Sequence, residues 1–211
     1  MKKPPTIAVL GGTGKAGKYI VEQLIEHGYP IKMLVRSPEK IAAKNPLIEV
    51  VMGSARNYAT LQRLLSGCDA IVSALGNSKK EPDTCSTAIA HILRITGKLK
   101  IKRYVEVAGL VIDTPSDNKG FKTRLIGKII RALFPKAAGD RQKGYEMLTR
   151  SNLAWKIIRC PSIELTREKR KLAVRDDDSP GNKVSATDLA FFIIGQLTTE
   201  QYIRKCPFVA S

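Results

Sequence analysis

Residues 6–18, Thr-Ile-Ala-Val-Leu-Gly-Gly-Thr-Gly-Lys-Ala-Gly-Lys, decide how this chain folds. The stretch begins as an apolar strand, enters a glycine-rich turn, and continues into a helix with apolar residues at helical spacing through Glu26. The glycines match G-x-G-x-x-G from Gly12 and G-x-x-G-x-x-G from Gly11. Both spacings let backbone N–H groups approach a pyrophosphate at the positive end of a helix dipole. The stretch therefore predicts that the chain binds a phosphate-bearing nucleotide.

Residues 12–18 also match the phosphate-binding loop of nucleoside triphosphatases, G-x-x-x-x-G-K. That loop needs a Ser or Thr as the next residue, because its hydroxyl binds magnesium. The next residue here is Tyr19. The match fails at its metal ligand, and no metal site is predicted.

The second apolar strand, Ile31 to Val35, ends in a basic segment that contains Arg36, Ser37 and Lys40. In dinucleotide-binding folds this strand end meets the adenosine ribose, and a carboxylate there binds the free 2′-hydroxyl. No carboxylate follows the strand here, whereas two cations and a hydroxyl suit a 2′-phosphate. The segment predicts NADP(H) rather than NAD(H), with a solvated strand end as the alternative for Arg36.

Strand and helix patterns alternate along the chain, which is typical of a doubly wound parallel sheet. We predict an α/β, Rossmann-type, mostly parallel sheet of six or seven strands with helices on both faces. A length of 211 residues fits one domain of this class. The prediction is a single NAD(P)-binding domain over residues 1–211.

The predicted binding crevice lies where the strands end, because open α/β sheets bind ligands outside the carboxyl ends of their strands. Small residues follow several of these strands, as in 53–55, 74–76 and 107–109, and leave room for a cofactor. The residues predicted to bind it are Gly11, Thr13, Gly14, Lys15, Ala16, Arg36, Ser37, Lys40, Ser54, Ala55, Ala74, Leu75, Gly76, Val107, Ala108, Gly109, Pro161, Ser162 and Ile163.

Residues 110–138 are predicted to form a helical, lid-like insertion. Within them, residues 122–134 carry apolar side chains on one helical face and cations on the other. We expect this helix to cover the mouth of the crevice. The alternative is a helix that binds a partner or a membrane surface, because its polar face is strongly basic.

The overall composition points to a soluble protein of the cytoplasm. No apolar run approaches the length that spans a membrane. The four cysteines are scattered without a C-x-x-C pair, which favours reduced thiols over a disulfide framework or a zinc site.

The net charge of +17 is large for this length, and residues 119–143 hold eight cations against the single acid Asp140. An anionic partner would suit such a surface, but the sequence contains no nucleic-acid-binding motif. Nucleic-acid binding is therefore not the prediction.

Several motifs together resemble the atypical short-chain dehydrogenase/reductase family, in particular its small NAD(P)-binding branch that includes biliverdin-IXβ and flavin reductases. The motifs that carry the resemblance are residues 11–17, Val35-Arg36, residues 65–72 with Leu75-Gly76, residues 146–161, and residues 184–190. The resemblance covers nearly the whole chain and implies an NAD(P)-dependent oxidoreductase.

The chain departs from the wider family at its catalytic Tyr-x-x-x-Lys pair. A pair that started at Tyr145 would need a lysine where Thr149 stands, and the family's lysine position falls near Gln142, with Lys143 adjacent. Alcohol dehydrogenases and epimerases need such a base, which argues against both activities. Reduction of a planar acceptor mainly needs the acceptor held against the nicotinamide.

Two hypotheses follow from these residues. The first is an NADPH-dependent reductase of a flavin, quinone or tetrapyrrole, with Tyr145 or Lys143 as the candidate proton donor. The second is a non-catalytic NADP(H)-binding sensor or partner-binding protein. Both leave the identity of the acceptor or partner, and the oligomeric state, open.

Overall fold

The computed structural model describes residues 4–37, 39, 45–78, 80–99, 101 and 103–211. The main sheet is built from β1 (Ile7–Leu10), β2 (Ile31–Val35), β3 (Ile48–Met52), β4 (Ala70–Ser73), β5 (Arg103–Ala108), β6 (Ala154–Arg159), β8 (Ala173–Arg175) and β10 (Phe208–Ala210). Two further strands, β7 (Ser162–Glu164) and β9 (Lys183–Ser185), form a small parallel pair. The helices are α1 (Lys15–Glu26), α2 (Tyr58–Leu65), α3 (Thr84–Thr96), α4 (Phe121–Leu133), α5 (Pro135–Thr149) and α6 (Ala186–Gly195).

The strand order in the main sheet is β3-β2-β1-β4-β5-β6-β10-β8. All neighbours are parallel except β8, which runs antiparallel to β10 at the edge. The predicted fold class is confirmed, but the sheet has eight strands rather than six or seven. The number of strands was underestimated because β8 and β10 have three residues each, which is too few for a recognisable alternation of apolar and polar residues.

Helices cover both faces of the sheet, and the alternation within β1 shows why. Ile7 and Val9 pack toward α1 and α6, whereas Ala8 and Leu10 pack toward α2, α3 and α5. Successive side chains of a strand point to opposite faces, so a continuous apolar strand needs cover on both sides. Between β2 on one side and β4 on the other, β1 marks the point where the strand order reverses.

The four cysteines lie in separate parts of this interior. Each is buried and unpaired as a free thiol. Burial raises the pKa of Cys68 to about 11 and the pKa values of Cys85, Cys160 and Cys206 to about 12.

The segment between β5 and α4 is fastened to the end of β6 by buried charges. The fully buried Arg159 side chain donates to the Ile112 carbonyl at 3.1 Å and pairs with Asp117 at 2.8 Å. Lys119 donates to the same carbonyl at 2.8 Å and pairs with Asp117 at 3.0 Å. Burial alone would raise the pKa of Asp117, but hydrogen bonds from Arg159 and Thr114 bring it below its ordinary value.

Helix α4 forms where it was expected, but its apolar face does not pack on the protein. Only Thr123 and Gly127 of its thirteen residues are buried. Helix α5 follows immediately and begins at Pro135, because proline suits the first turn of a helix. No helix in the described part of the chain is long and apolar enough to cross a membrane.

Candidate functional site

The turn between β1 and α1 forms a cradle that only glycines allow. Gly11 has φ +76°, and a Cβ there would lie 2.5 Å from the Ala74 carbonyl oxygen. The Gly14 N–H donates to the Gly11 carbonyl at 2.9 Å. No side chain caps α1, so the N–H groups of its first turn are available to an anion. The turn therefore has the form that a pyrophosphate needs.

A cavity of about 300 Å³ opens beside this turn at the carboxyl ends of β1 to β4. Its walls are Gly11, Thr13, Gly14, Leu34, Arg36, Gly53, Ser54, Ala55, Ala74, Leu75, Gly76, Asn77, Ser78, Glu81 and Thr84. Nine of these residues belong to the predicted cofactor site.

A second cavity of about 220 Å³ adjoins the first, with Ala74 and Leu75 as shared walls. It lies at the ends of β4 to β6 and is lined by Ala16, Ala74, Leu75, Val107, Ala108, Gly109, Arg141, Cys160, Pro161 and Ile163. A Cβ at Gly76 or Gly109 would meet no protein atom within 4 Å, so both glycines border open space. The two cavities together form one crevice at the carboxyl ends of the strands, which is where open α/β sheets bind their ligands.

Three predicted cofactor residues lie next to the crevice without lining it. Lys15 and Ser162 are exposed, and Ser37 is half-buried beside Arg36. Lys40, the fourth, lies outside the described residues.

Arg36 reaches across the crevice mouth to a carboxylate that the sequence did not reveal. Its guanidinium pairs with Glu81 at 2.9 Å, and its side chain remains 66% exposed. Glu81 also lies 3.9 Å from the Arg56 guanidinium. The cation predicted for a 2′-phosphate therefore has an acidic competitor, which stands 45 positions away in the sequence.

Arg141 is the cation of the second cavity, and sequence reasoning missed it. Glu106, buried in the middle of the sheet, accepts hydrogen bonds from Arg141 and, at 2.9 Å, from the Tyr104 hydroxyl. The Arg141 guanidinium also donates to the Leu75 carbonyl in the crevice wall. Burial opposes its charge, but the neighbouring Cys85 and Glu106 raise the pKa of Arg141 above its ordinary value. The site thus holds a guanidinium that stays protonated and is paired with the Glu106 carboxylate.

Asp140, the neighbour of Arg141, ties α5 to the crevice wall. Its carboxylate accepts from the N–H groups of Cys85 at 3.0 Å and Ser86 at 3.1 Å, and from the Asn77 amide at 2.8 Å. Helix α3 has no cap of its own, so Asp140 satisfies N–H groups at its start. For the neighbouring pair of Arg141 and Glu106, the signal in the sequence was Glu106 itself, a lone glutamate in the apolar run of β5.

The two candidate proton donors do not lie at the crevice. The Tyr145 ring packs edge to face on Trp155, 5.9 Å between centroids, and lines a separate depression with Asp176 and Arg204. Lys143 is exposed, and Gln142 is bonded to the Asp113 backbone. Tyr145 stands one helical turn, about 6 Å, further along α5 than Arg141. Neither residue is among the described residues that line the crevice, and their role as proton donors stays a prediction.

The predicted lid helix is also away from the site. Among the residues that the structure describes, none from α4 lines either cavity. The lid function of residues 110–138 stays a prediction.

Comparison with known proteins places this architecture. Residues 11–200 match a family model described as NAD(P)H-binding. The (4-alkanoyl-5-oxo-2,5-dihydrofuran-3-yl)methyl phosphate reductase of Streptomyces griseus is 30% identical over 118 residues, which are 56% of this chain and 39% of that protein. The chain thus matches well under half the length of this curated relative.

Two solved structures share the fold over nearly the whole chain. ChuY, an anaerobillin reductase from Escherichia coli O157:H7, superposes with a TM-score of 0.81 at 16% identity and covers 97% of this chain and 96% of that one. A short-chain dehydrogenase/reductase from Veillonella parvula in complex with NADP gives 0.76 at 16% identity, with 99% and 95% covered.

Fold and turn together define a dinucleotide-binding α/β protein. The match over 11–200 shows that the chain belongs to the NAD(P)H-binding family. The prediction of an NAD(P)-binding family is confirmed, and the resemblance to a short-chain dehydrogenase/reductase extends to the fold of a solved structure.

Proposed function

We propose that the protein is an NADP(H)-dependent reductase of a small planar acceptor, such as a flavin, quinone or tetrapyrrole. One observation carries the proposal: the second cavity is walled by small and apolar residues and one cation, Arg141, with no tyrosine or lysine side chain among its described lining residues. Such a lining suits a flat, apolar ring system but offers no side-chain base for an alcohol. The names of the reductases above support the same class of activity.

The chain's own residues divide the binding of the cofactor between them. The turn at Gly11 to Gly14 and the start of α1 would hold the pyrophosphate, and Arg36 would hold the 2′-phosphate once it leaves Glu81. Residues 74–76 and 107–109 would border the nicotinamide. When bound, the cofactor supplies the hydride.

Arg141 would act on the acceptor through its charge. A hydride added to a conjugated ring system leaves an electron pair on a ring oxygen or nitrogen, and a cation held nearby stabilises that charge. Arg141 keeps its own proton, because its pKa is raised above an already high value. The proton that completes the reduction would therefore come from water in the open crevice.

The first experiment measures cofactor choice by calorimetric titration with NADPH and NADH. We expect NADPH to bind at least tenfold tighter, because a charge-assisted hydrogen bond from Arg36 contributes about 1.5–3 kcal/mol. Arg36→Ala should erase most of that difference, while the exposed Arg63 on α2 provides the matched control, Arg63→Ala. Glu81→Gln should tighten NADPH selectively, because it frees Arg36. Equal dissociation constants for the two cofactors in the unmutated protein would overturn the NADP(H) assignment.

The second experiment follows NADPH oxidation with flavins, quinones, biliverdins, and simple carbonyl compounds. Removing Arg141 alone would leave Glu106 buried and unpaired, so the informative variant is Glu106→Gln with Arg141→Met. We expect it to lower kcat about a hundredfold, the loss typical of one charge-stabilising group. Tyr145→Phe should cost about tenfold or less.

Two results would contradict the reductase proposal in different ways. Turnover confined to carbonyl compounds and abolished by Tyr145→Phe would indicate acid/base dehydrogenase chemistry. Tight NADPH binding without turnover of any acceptor would indicate the non-catalytic binding protein.

A further inference from the structure

The outer face of α4 is an apolar surface that the rest of the protein leaves uncovered. Six of the nine large apolar side chains that are exposed in the described part of the chain lie between Phe121 and Phe134. Phe121 is 80% exposed and Leu133 66% exposed. A cluster of this size at one place is unusual on a monomer surface and marks a site of interaction.

The exposed apolar residues share one side of the helix. At about 100° per residue, positions 121, 125, 126, 129 and 133 fall within an arc of roughly 140°. The residues that contact the protein lie on the other side, where Gly127 approaches the Leu110 carbonyl and Arg131 donates to the Val111 carbonyl at 3.0 Å. The helix is thus held from behind with its apolar face outward.

Exposed cations lie within and around this face. Lys122, Arg124, Lys128 and Lys136 are exposed, and within the described parts of the chain no carboxylate lies within 4.0 Å of their charged groups. The cations that fasten the segment, Lys119 and Arg131, are instead paired with Asp113. Three arginines between residues 167 and 175 are also paired with acids, namely Arg167, Arg170 and Arg175. Four cations without an acidic partner among the described residues therefore lie on or beside α4, next to its exposed apolar side chains.

We propose that α4 binds the surface of an anionic lipid bilayer, with its axis in the plane of the membrane. An apolar arc inserted at the boundary of the acyl chains, with lysines and arginines at the level of the head groups, is the arrangement of interfacial amphipathic helices. Lys122 falls within the apolar arc in the same projection, and its long side chain can extend its ammonium from there to the head groups. The helix lies on the membrane and does not span it.

The charge pattern favours this occupant over the others. A second copy would bring the same cations against one another in a protein of net charge +17. A nucleic acid would satisfy the cations but gain nothing from the exposed Leu125 and Ile129. An anionic bilayer matches both parts of the surface at once.

The test is co-sedimentation of the full chain with vesicles. We expect binding to phosphatidylcholine vesicles that contain phosphatidylglycerol, little binding to pure phosphatidylcholine, and loss of binding at high salt. Lys122→Gln with Lys128→Gln should weaken binding by roughly tenfold or more, because each cation near such a surface contributes about fivefold. Leu125→Ser with Ile129→Ser should weaken it at least as much.

Matched controls change the same residue types elsewhere. Leu165→Ser alters an exposed leucine outside α4, and Lys98→Gln with Arg150→Gln removes two exposed charges, one just after α3 and one just after α5. Both controls should bind vesicles nearly as the unmutated protein does. Every variant should keep its circular dichroism and its NADPH dissociation constant, which separates this proposal from the cofactor site.

Three outcomes would overturn the membrane proposal. One is equal sedimentation with both kinds of vesicle, or α4 variants that bind like the unmutated protein. Another is a dimer in light scattering that Leu125→Ser with Ile129→Ser disperses, which would assign the face to a second copy. The third is absence of vesicle binding together with RNA or DNA binding that depends on Lys122 and Lys128 but not on Leu125 and Ile129.

Discussion

Helices α1 and α4 are similar in length and apolar spacing, but the apolar face of α1 is buried and that of α4 is exposed to solvent. Helix α1 has twelve residues and α4 has thirteen. Each begins after a glycine, which has no side chain to cap the helix, and each carries apolar residues at helical spacing. Helix α1 buries Ile20, Val21 and Leu24 against α6 and the sheet. Helix α4 leaves Leu125 and Ile129 in solvent.

The difference lies in where each helix stands in the connection it belongs to. Helix α1 is the crossover between the parallel strands β1 and β2, and a crossover helix packs back onto its sheet. Between β5 and β6 that place is already taken by α5, which packs on α3. Helix α4 is an additional helix outside this layer. Apolar spacing therefore predicts a helix without predicting what covers it.

The largest effect is expected at the anchor beneath α4. Asp117→Asn leaves Arg159 buried without its partner and should lower the free energy of unfolding by about 3–5 kcal/mol at neutral pH. The folded-state pKa of Asp117 lies below its ordinary value of 3.8, so its contribution is complete above that pH and is lost as the pH falls through the folded-state pKa.

Urea titrations of both proteins between neutral pH and pH 3 measure this contribution. The gap between Asp117→Asn and the unmutated protein should be widest near neutrality and should narrow below about pH 4. A gap that stays constant with pH would mean that the anchor works without the charge of Asp117.

A pair of leucines compares the two helices directly. Leu24→Ala in α1 empties a fully buried position and should cost about 2–5 kcal/mol of unfolding free energy. Leu125→Ala in α4 changes a side chain that is 45% exposed, and we expect a change within about 0.5 kcal/mol. The denaturant midpoints of the two variants measure these two losses of unfolding free energy. Equal losses would mean that the face of α4 is covered in solution.

A pair of glycines, Gly17 in α1 and Gly127 in α4, compares the sides of the two helices that contact the rest of the protein. A Cβ at Gly17 would lie 2.0 Å from the Gly11 carbonyl oxygen, so Gly17→Ala should cost about 3 kcal/mol, the upper end of overpacking. A Cβ at Gly127 would meet the flexible end of Arg131 at 3.3 Å. Gly127→Ala should therefore change the melting temperature little, since better helix propensity of about 1 kcal/mol offsets the contact. A loss of melting temperature in Gly127→Ala as large as that in Gly17→Ala would show that α4 packs as tightly on the protein as α1 does.

The parts of the molecule that local sequence determines could be predicted. The strand, turn and helix around Gly11, and the small residues at strand ends, appear in the structure as one crevice. Partners far apart in sequence could not be found this way, since Arg36 meets Glu81 and Arg141 meets Glu106 only after the chain has folded. On α5, the spacing of cations did not reveal which one turns toward the sheet.

The buried thiols give this protein a set of internal reporters. Only a thiolate reacts with an alkylating reagent, and raised pKa values keep all four protonated while the surrounding structure stays closed. The rate at which each cysteine is labelled therefore measures how often its own neighbourhood opens. Cys85 and Cys160 border the crevice, whereas Cys68 and Cys206 lie elsewhere in the interior. One labelling time course therefore distinguishes local opening at the crevice from local opening in the rest of the core.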